Sequence, residues 1–199
     1  MKYTTTRRRL IRSVIAGICL LPFASNAANI VVGSGSDTSY LVLESGNLGV
    51  RTYEVRYNAA DGPYDAKFLF DKALVGDMTL SASFTNSGSP SVPNFFVSSI
   101  NGEAGSSSPP WTWWVHWVSG GLGFQNPNYS FNSGTPTPGS WSTGFGISAP
   151  YRLIAPGSWD ALVFSDGSLL PSVSPIPEPS SLLVSSLGAL LVFRRRRNR

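Results

Sequence analysis

The chain has 199 residues, enough for one domain with terminal tails. Only 13% of the residues are charged and 12% are aromatic, which excludes a disordered polar linker. Residues 1–27 and 176–199 together hold ten basic residues and one acid, whereas residues 28–175 hold five basic residues and ten acids. The central part would repel phosphate, so the net charge of +4 does not indicate a nucleic-acid-binding protein.

The first 27 residues have the features of a secretory signal peptide. Basic residues precede a short apolar stretch at 14–24, which at about 1.5 Å per residue cannot cross a hydrocarbon core of about 30 Å as a helix. Small residues then predict cleavage between Ala27 and Ala28. Residues 6–12 also resemble a twin-arginine export signal, so the Sec and twin-arginine routes both stay open.

The last 24 residues combine three features in a fixed order. An Ile-Pro-Glu-Pro-Ser motif at 176–180 precedes an apolar stretch at 181–193 and a basic end at 194–199. Pro177 and Pro179 fix their backbone φ angles and disfavour helix in the residues before them. We therefore expect the motif to stay extended and accessible just outside a helix.

The apolar stretch at 181–193 is short for a membrane span, but a basic cluster follows it directly. The stop-transfer cluster consists of Arg194, Arg195, Arg196 and Arg197. Under the positive-inside rule both basic ends of the chain stay in the cytoplasm and the central part lies outside. Glu178 is the only charged residue between Asp166 and these arginines, which makes it the candidate for recognition.

This three-part tail resembles the PEP-CTERM sorting signals of Gram-negative bacteria. In that family the Pro-Glu-Pro motif, here Pro177, Glu178 and Pro179, is recognised by an exosortase, an integral-membrane cysteine transpeptidase-like enzyme that cuts near it. The resemblance implies a transient single-pass stay in the inner membrane, then a location at the cell surface or outside the cell, in a bacterium that makes exopolysaccharide. A plain tail anchor would explain the apolar stretch and the arginines but not the Pro-Glu-Pro motif.

The part between the two signals is predicted to be mainly β, with α+β as the alternative. We expect one compact antiparallel β-rich domain at 28–164 and a linker at 165–175, flanked by an N-terminal signal helix and a C-terminal hydrophobic helix. The only cysteine, Cys19, lies in the signal peptide. The mature chain therefore has no disulfide, thiolate metal site or cysteine nucleophile, and its stability must come from the core.

Alternating apolar and polar side chains predict strands at 51–57 and 66–70, joined into a hairpin by turn residues at 58–63. The glycine- and serine-rich residues 33–37 are interpreted as a flexible leader. Residues 78–85 alternate like a strand, although Asp77 could cap a short helix there, so helix and strand both stay open. Further strands are predicted at 95–100, 111–118, 151–154 and 159–164.

Residues 95–164 resemble small secreted β-grasp-like domains related to the C-terminal domain of transcobalamin. The resemblance rests on a strand ending in Ile-Asn-Gly at 96–102, a tryptophan-rich strand at 113–118 and a Pro-Gly turn at 155–159. Ser158 replaces the usual acid, and Ser-Gly-Gly stands where Asn-Gly is usual. The resemblance implies an architecture, and a small-ligand-binding module of β-grasp type is the alternative function.

Catalytic and metal sites have little support in the sequence. His116 is the only histidine and lies among tryptophans, so we interpret it as a strand-surface or partly buried side chain. One histidine without cysteines disfavours zinc, copper and haem, and Asp61 and Asp65 lack the spacing of a calcium loop. No carboxylate pair stands out for glycoside hydrolysis. We expect no enzyme, no cofactor and no metal, with a secreted hydrolase as the least favoured alternative.

The tryptophan-rich strand has bulky side chains on both faces, which is typical of a central strand covered on both sides. The alternative is a row of exposed indoles on which sugar rings stack. That candidate carbohydrate platform consists of Trp111, Trp113, Trp117 and Trp141. Together with the sorting signal, these features predict an exported, non-enzymatic cell-envelope or extracellular-matrix protein, and the alternative with exposed indoles adds an association with exopolysaccharide.

Overall fold

The structure is a computed structural model that describes residues 29–90, 92–122, 135–144, 146–149 and 151–175. The predicted signal peptide with its cleavage site, and the tail with its sorting motif, hydrophobic helix and arginine cluster, lie outside the described residues. Within the part that is described, no helix is both long and apolar enough to cross a membrane.

The prediction of a mainly β fold is confirmed, since 42% of the described residues form strands and 11% form helix. The elements in chain order are β1 (Asn29–Gly33), β2 (Asp37–Ser45), β3 (Gly49–Tyr57), a 3-10 helix (Ala59–Asp61), α1 (Ala66–Gly76), β4 (Ala82–Asn86), β5 (Phe95–Ile100), β6 (Glu103–Ala104), β7 (Trp113–Ser119), β8 (Ser142–Thr143) and β9 (Trp159–Ser165). The predicted strands at 51–57, 95–100, 111–118 and 159–164 correspond to β3, β5, β7 and β9.

The strands form two sheets. A six-stranded sheet has the order β1-β3-β2-β9-β7-β8, and a three-stranded sheet has the order β4-β5-β6. Most strand pairs are antiparallel as expected, but two pairs of the larger sheet, β1 with β3 and β2 with β9, are parallel, which the sequence analysis did not predict. Two parallel strands can pair only if the chain between them runs back from the end of the first strand to the side of the sheet where that strand began. Strand β2 provides this return for β1 and β3, and most of the remaining domain provides it for β2 and β9.

The predicted hairpin between residues 51–57 and 66–70 is wrong. Strand β3 forms its hairpin with β2, and residues 66–70 open helix α1. The Asp65 carboxylate accepts a hydrogen bond from the Phe68 amide at 2.8 Å, which caps the N-terminus of the helix. The buried residues of α1 recur at helical rather than strand spacing. They are Ala66, Leu69, Phe70 and Ala73.

Residues 33–37 are not a flexible leader, since they turn the chain from β1 into β2. Gly33 and Gly35 have φ angles of +76° and +145° there, and residues with a Cβ atom rarely adopt positive φ angles. A Cβ added at Gly35 would lie only 2.7 Å from the Cα of Tyr57 in β3. The turn therefore packs directly against the backbone of β3 and leaves no space for a side chain at Gly35.

Asp77 ends helix α1 instead of beginning a new helix, because its amide donates to the Ala73 carbonyl. Its carboxylate accepts hydrogen bonds from Arg51 and Tyr53 of β3, at 2.9 and 2.8 Å. Hydrogen bonds from Thr79 above all, and then from Tyr53, lower the pKa of Asp77 to about 2. A strand forms only over the second half of 78–85, where β4 begins at Ala82.

The predicted strand at 151–154 is absent from the described residues, where Leu153 forms only an isolated bridge with Asp65. The backbone around it follows a turn instead, because the amides of Tyr151 and Arg152 both donate to the Ser148 carbonyl. This turn brings Arg152 toward the sheet without adding a strand to it.

The larger sheet carries an apolar cluster on each face. One cluster packs the sheet against α1 and β5 and includes Phe70, Ile100 and Leu162. The cluster on the other face consists of Val42, Val115, Trp117, Trp159, Ala161 and Val163, with Tyr40, Trp141 and Val173 packed against it. Residues 165–175, predicted to be a linker, thus contact the domain as far as Val173, whose carbonyl accepts from the Trp141 indole at 2.9 Å.

Candidate functional site

The tryptophans predicted to form a carbohydrate platform occupy different environments. Trp111 is 55% exposed and Trp113 is 46% exposed, whereas Trp117 is 8% exposed and packs in the second apolar cluster. Trp141 is half-buried at the edge of that cluster. A row of four exposed indoles is therefore not formed, and the exposed pair is Trp111 and Trp113.

Three ionisable side chains are in contact inside the domain, and the sequence analysis did not predict this contact. Arg152 and Asp160 are fully buried, and His116 is 6% exposed. His116 of β7 is paired with Leu162 of β9, so that Asp160, two residues before Leu162, is its diagonal neighbour on the same face of the sheet. Arg152 reaches the same point from the turn before β9. We call these three residues the buried charge cluster.

The guanidinium of Arg152 holds the Asp160 carboxylate in a two-point contact, with Nε 2.8 Å from Oδ1 and Nη2 2.9 Å from Oδ2. Its Nη1 also donates to the Gly120 carbonyl at 2.8 Å. Burial alone would raise the pKa of Asp160, but the charge of Arg152 and the hydrogen bonds from His116 and Arg152 outweigh it. The pKa is therefore lowered, and Asp160 stays ionised.

The orientation of the His116 ring is set by Asp160, whose Oδ1 lies 2.8 Å from Nε2. An ionised carboxylate only accepts hydrogen bonds, so Nε2 carries the proton of this contact. Nδ1 is buried and has no hydrogen-bond partner among the described residues. No described hydroxyl lies within hydrogen-bond distance of it, so a Ser-His-Asp arrangement is not assembled there.

A cavity of about 250 Å³ lies beside the histidine, between β5, β7 and residues Thr143, Gly144 and Ile147. Its walls are mainly aromatic and aliphatic. They include Phe96, Val97, Trp113, Trp114, His116 and Gly144. Gly144 also lies directly against the imidazole, since a Cβ at this position would be 2.7 Å from Cγ of His116 and closer still to Nδ1.

The two aspartates considered for a calcium site have separate structural roles. Asp61 accepts a side-chain hydrogen bond from Asn58 at 3.3 Å. Asp65 caps helix α1 and also accepts from the Ala149 amide at 2.9 Å. Within the described ranges no group of three or more histidine, cysteine or acidic side chains converges in a way that could hold a metal ion.

Two features of the sequence could have indicated the buried charge cluster. Asp160 interrupts an apolar strand at a position that alternates with Trp159 and Ala161, on the face shared with Leu162. Arg152 is the only lysine or arginine between Lys72 and the arginines at the C-terminus. An acid at an inward position and a lone base nearby indicate a buried ion pair, because neither charge is stable in the core without a partner.

Comparison with protein families matches residues 175–197 to the PEP-CTERM protein-sorting motif. The match covers the Pro-Glu-Pro sequence, the apolar stretch and the four-arginine cluster. The chain thus carries the signal of an exported protein that is sorted to the cell envelope in an exosortase-dependent way. Comparisons with curated proteins and with solved structures give no match. The resemblance of residues 95–164 to transcobalamin-related domains stays a prediction.

Proposed function

We propose that the protein is a non-enzymatic component of the bacterial cell envelope or extracellular matrix that an exosortase cuts near Pro177, Glu178 and Pro179. The match of residues 175–197 to the sorting motif carries this proposal. Strand β9 ends at Ser165, and the Trp141 indole donates a hydrogen bond to the Val173 carbonyl, so these described contacts precede the motif in the chain. A cut near the motif would therefore leave every described strand and helix in the product.

The N-terminal end of the domain supports removal of a signal peptide between Ala27 and Ala28. Strand β1 begins at Asn29, the second residue after this cleavage point, so the mature chain would keep every described strand. Export uses the Sec or the twin-arginine route. The stretch at 181–193 then holds the chain in the inner membrane, with Arg194 to Arg197 in the cytoplasm, until the exosortase acts.

Substituting Glu178→Ala tests the sorting step. Glu178 supplies the only negative charge of the motif, and a hydrogen bond to a charged group contributes about 1.5–3 kcal/mol, so cleavage should slow roughly tenfold to a hundredfold. Pulse-chase labelling followed by mass measurement would show the chain that still carries Arg199 accumulating. Asp166→Ala removes a nearby exposed carboxylate outside the motif and should be processed normally. Processing of Glu178→Ala at the normal rate would contradict the proposal.

The absence of enzymatic activity is part of the proposal and rests on the buried charge cluster. Asp160 is engaged by both Arg152 and His116, and the described residues place no nucleophile beside the histidine. The cluster holds the imidazole ring of His116 in place, but it does not supply the pair of base and nucleophile that a hydrolase needs. A secreted hydrolase is therefore less well supported.

We also propose that the domain associates with exopolysaccharide through Trp111 and Trp113. Both indoles are about half exposed, and Trp113 is the first residue of β7, with Trp111 two positions before it. Flat aromatic surfaces of this kind can stack against the apolar faces of sugar rings. Trp117 does not contribute to this surface, since it is buried in the second apolar cluster. Trp141 is also left out of it, because it is half-buried and its indole donates a hydrogen bond to the Val173 carbonyl.

The double substitution Trp111→Ala and Trp113→Ala should weaken binding to the exopolysaccharide of the host at least about tenfold, because two stacking contacts of roughly 1 kcal/mol each are lost. Co-sedimentation of the protein with the purified polysaccharide measures the affinity. Thermal unfolding would check that the domain still folds. Met78→Ala and Leu169→Ala, which truncate two other exposed apolar side chains, are the matched controls. Unchanged binding of the tryptophan variant would contradict the association.

A further inference from the structure

Several large apolar side chains are exposed at one end of the larger sheet. Strand β2 ends there and β3 begins there, since Ser45 pairs with Gly49. Strand β9 also ends there, because it runs parallel to β2, and its last residue pairs with the first residue of β7. The exposed residues are Val50 in β3, Trp111 before β7, Trp113 as the first residue of β7, and Leu169 and Leu170 shortly after β9. We call these five residues the apolar end.

The two leucines are exposed although the segment that carries them is held against the domain. The Ser172 amide donates a hydrogen bond to Glu44, the last residue but one of β2, at 2.8 Å. A Cβ added at Gly167 would lie 3.3 Å from Cζ2 of Trp113, so the segment also lies directly against that indole. The leucines, which are 57% and 58% exposed, lie between these two contacts. They are therefore presented to the outside on a fixed backbone.

We propose that the apolar end contacts the outer surface of the inner membrane, through zwitterionic lipid, while the stretch at 181–193 holds the chain there. This inference rests on the membrane step of the proposed function but not on the cut that follows it. Ser181 follows Ser172 by nine positions, which extend over at most about 30 Å. The chain also enters the domain from this end, because β1 runs parallel to β3 and begins level with Thr52. An inserted tail thus keeps the apolar end within reach of the lipid.

The chemistry of the apolar end fits a lipid surface. Exposed tryptophan and leucine side chains are typical of a membrane interface, where the indole ring packs on acyl chains and its N–H stays in the headgroup region. No charged residue lies between Asp166 and Glu178, so the segment with the leucines brings no charge to the lipid. Arg51, next to Val50, is already paired with Asp77 at 2.9 Å. The contact is therefore apolar and does not need anionic lipid.

The tail makes even a weak contact sufficient. A domain tethered within about 30 Å of the lipid experiences it at a high effective concentration, so a contact too weak to recruit a free domain still forms. Cutting near the motif removes the tether, and the domain then leaves the membrane. Trp111 and Trp113 become accessible to polysaccharide at that point, so the two associations follow one another.

The test uses the uncut full chain in phosphatidylcholine vesicles, with Cys19→Ser and one new cysteine that carries a nitrobenzoxadiazole label. The label at Leu170→Cys should lose most of its fluorescence when the vesicles contain lipid with a nitroxide on the upper acyl chain. Leu122→Cys is the matched control, since Leu122 is also 57% exposed but follows β7 at the opposite end of the sheet, and its label should stay bright. Leu187→Cys, within the stretch at 181–193, reports whether the tail is inserted.

A charged substitution separates contact from mere proximity. With the label at Leu169→Cys, adding Leu170→Asp should shift the equilibrium away from the membrane at least about tenfold and restore the fluorescence, because a charge is costly in lipid. Leu122→Asp makes the same change at the opposite end and should leave the quenching as it was. Quenching at Leu187 without quenching at Leu170, or quenching that survives Leu170→Asp, would overturn this inference alone. No quenching at either position would overturn both the inference and the proposed membrane step.

Discussion

Replacing Arg152 by methionine is expected to lower the free energy of unfolding of the domain by about 3–5 kcal/mol. The substitution leaves the Asp160 carboxylate buried, with only His116 beside it. It also removes the donor to the Gly120 carbonyl. Urea unfolding followed by tryptophan fluorescence measures the change, since Trp159 precedes Asp160 directly in β9.

Arg56→Met is the matched control for this prediction. Arg56 forms an ion pair with Glu54, but its side chain is half exposed, so the same substitution should change the stability by less than about 1 kcal/mol. The double variant Arg152→Met with Asp160→Leu removes both buried charges and should be more stable than Arg152→Met alone. An Arg152→Met protein as stable as the wild type would show that the buried charge cluster does not stabilise the fold.

Gly35→Ala is the second substitution expected to have a large effect, with a loss of about 3 kcal/mol or more. Alanine disfavours the φ angle of +145°, and its Cβ would lie 2.7 Å from the Cα of Tyr57. Tyr57 is buried in β3, so the backbone there cannot move away without disturbing the core. Thermal unfolding would show the loss as a lower transition temperature.

Two other glycines separate the effect of space from the effect of the backbone angle. Gly46 has open space around its Cβ position and no positive φ, so Gly46→Ala should leave the stability within about 0.5 kcal/mol. Gly49 has a φ of +69° but no atom near the added Cβ, so Gly49→Ala should lose about 1 kcal/mol. Equal stability of the Gly35 and Gly46 variants would contradict the proposed contact between the turn and β3.

Local sequence patterns predicted the strands better than the pairing between them. The strands at 49–57, 95–100, 113–119 and 159–165 have alternating or densely apolar sequences that identify them without any long-range information. The parallel pairs depend on contacts between distant parts of the chain, which no local pattern encodes.

The error at 66–70 has a specific physical origin. Ala66, Phe68 and Phe70 alternate like a strand, but Ala66, Leu69 and Phe70 also fit one face of a helix. In so short a segment both periods match, and the capping carboxylate of Asp65 decides for the helix. An aspartate directly before an apolar segment is a helix-start signal that the sequence itself contains.

The site could be predicted only in part. The sorting signal is a linear motif, so the sequence alone contains all of it. The buried charge cluster joins residues 116, 152 and 160, whose contact depends on the register of β7 against β9 and on the turn before β9. The exposure of Trp111 and Trp113 compared with Trp117 likewise depends on which elements cover the strand.

The most direct test of the proposed function is the intact mass of the native protein from inner-membrane, outer-surface and medium fractions. The proposal predicts a species that begins at Ala28, ends near Pro179 and is found outside the inner membrane. That result would make the β-rich domain the whole mature product. A species that still carries Arg199 and stays in the inner membrane would contradict exosortase processing and leave the tail as a simple anchor.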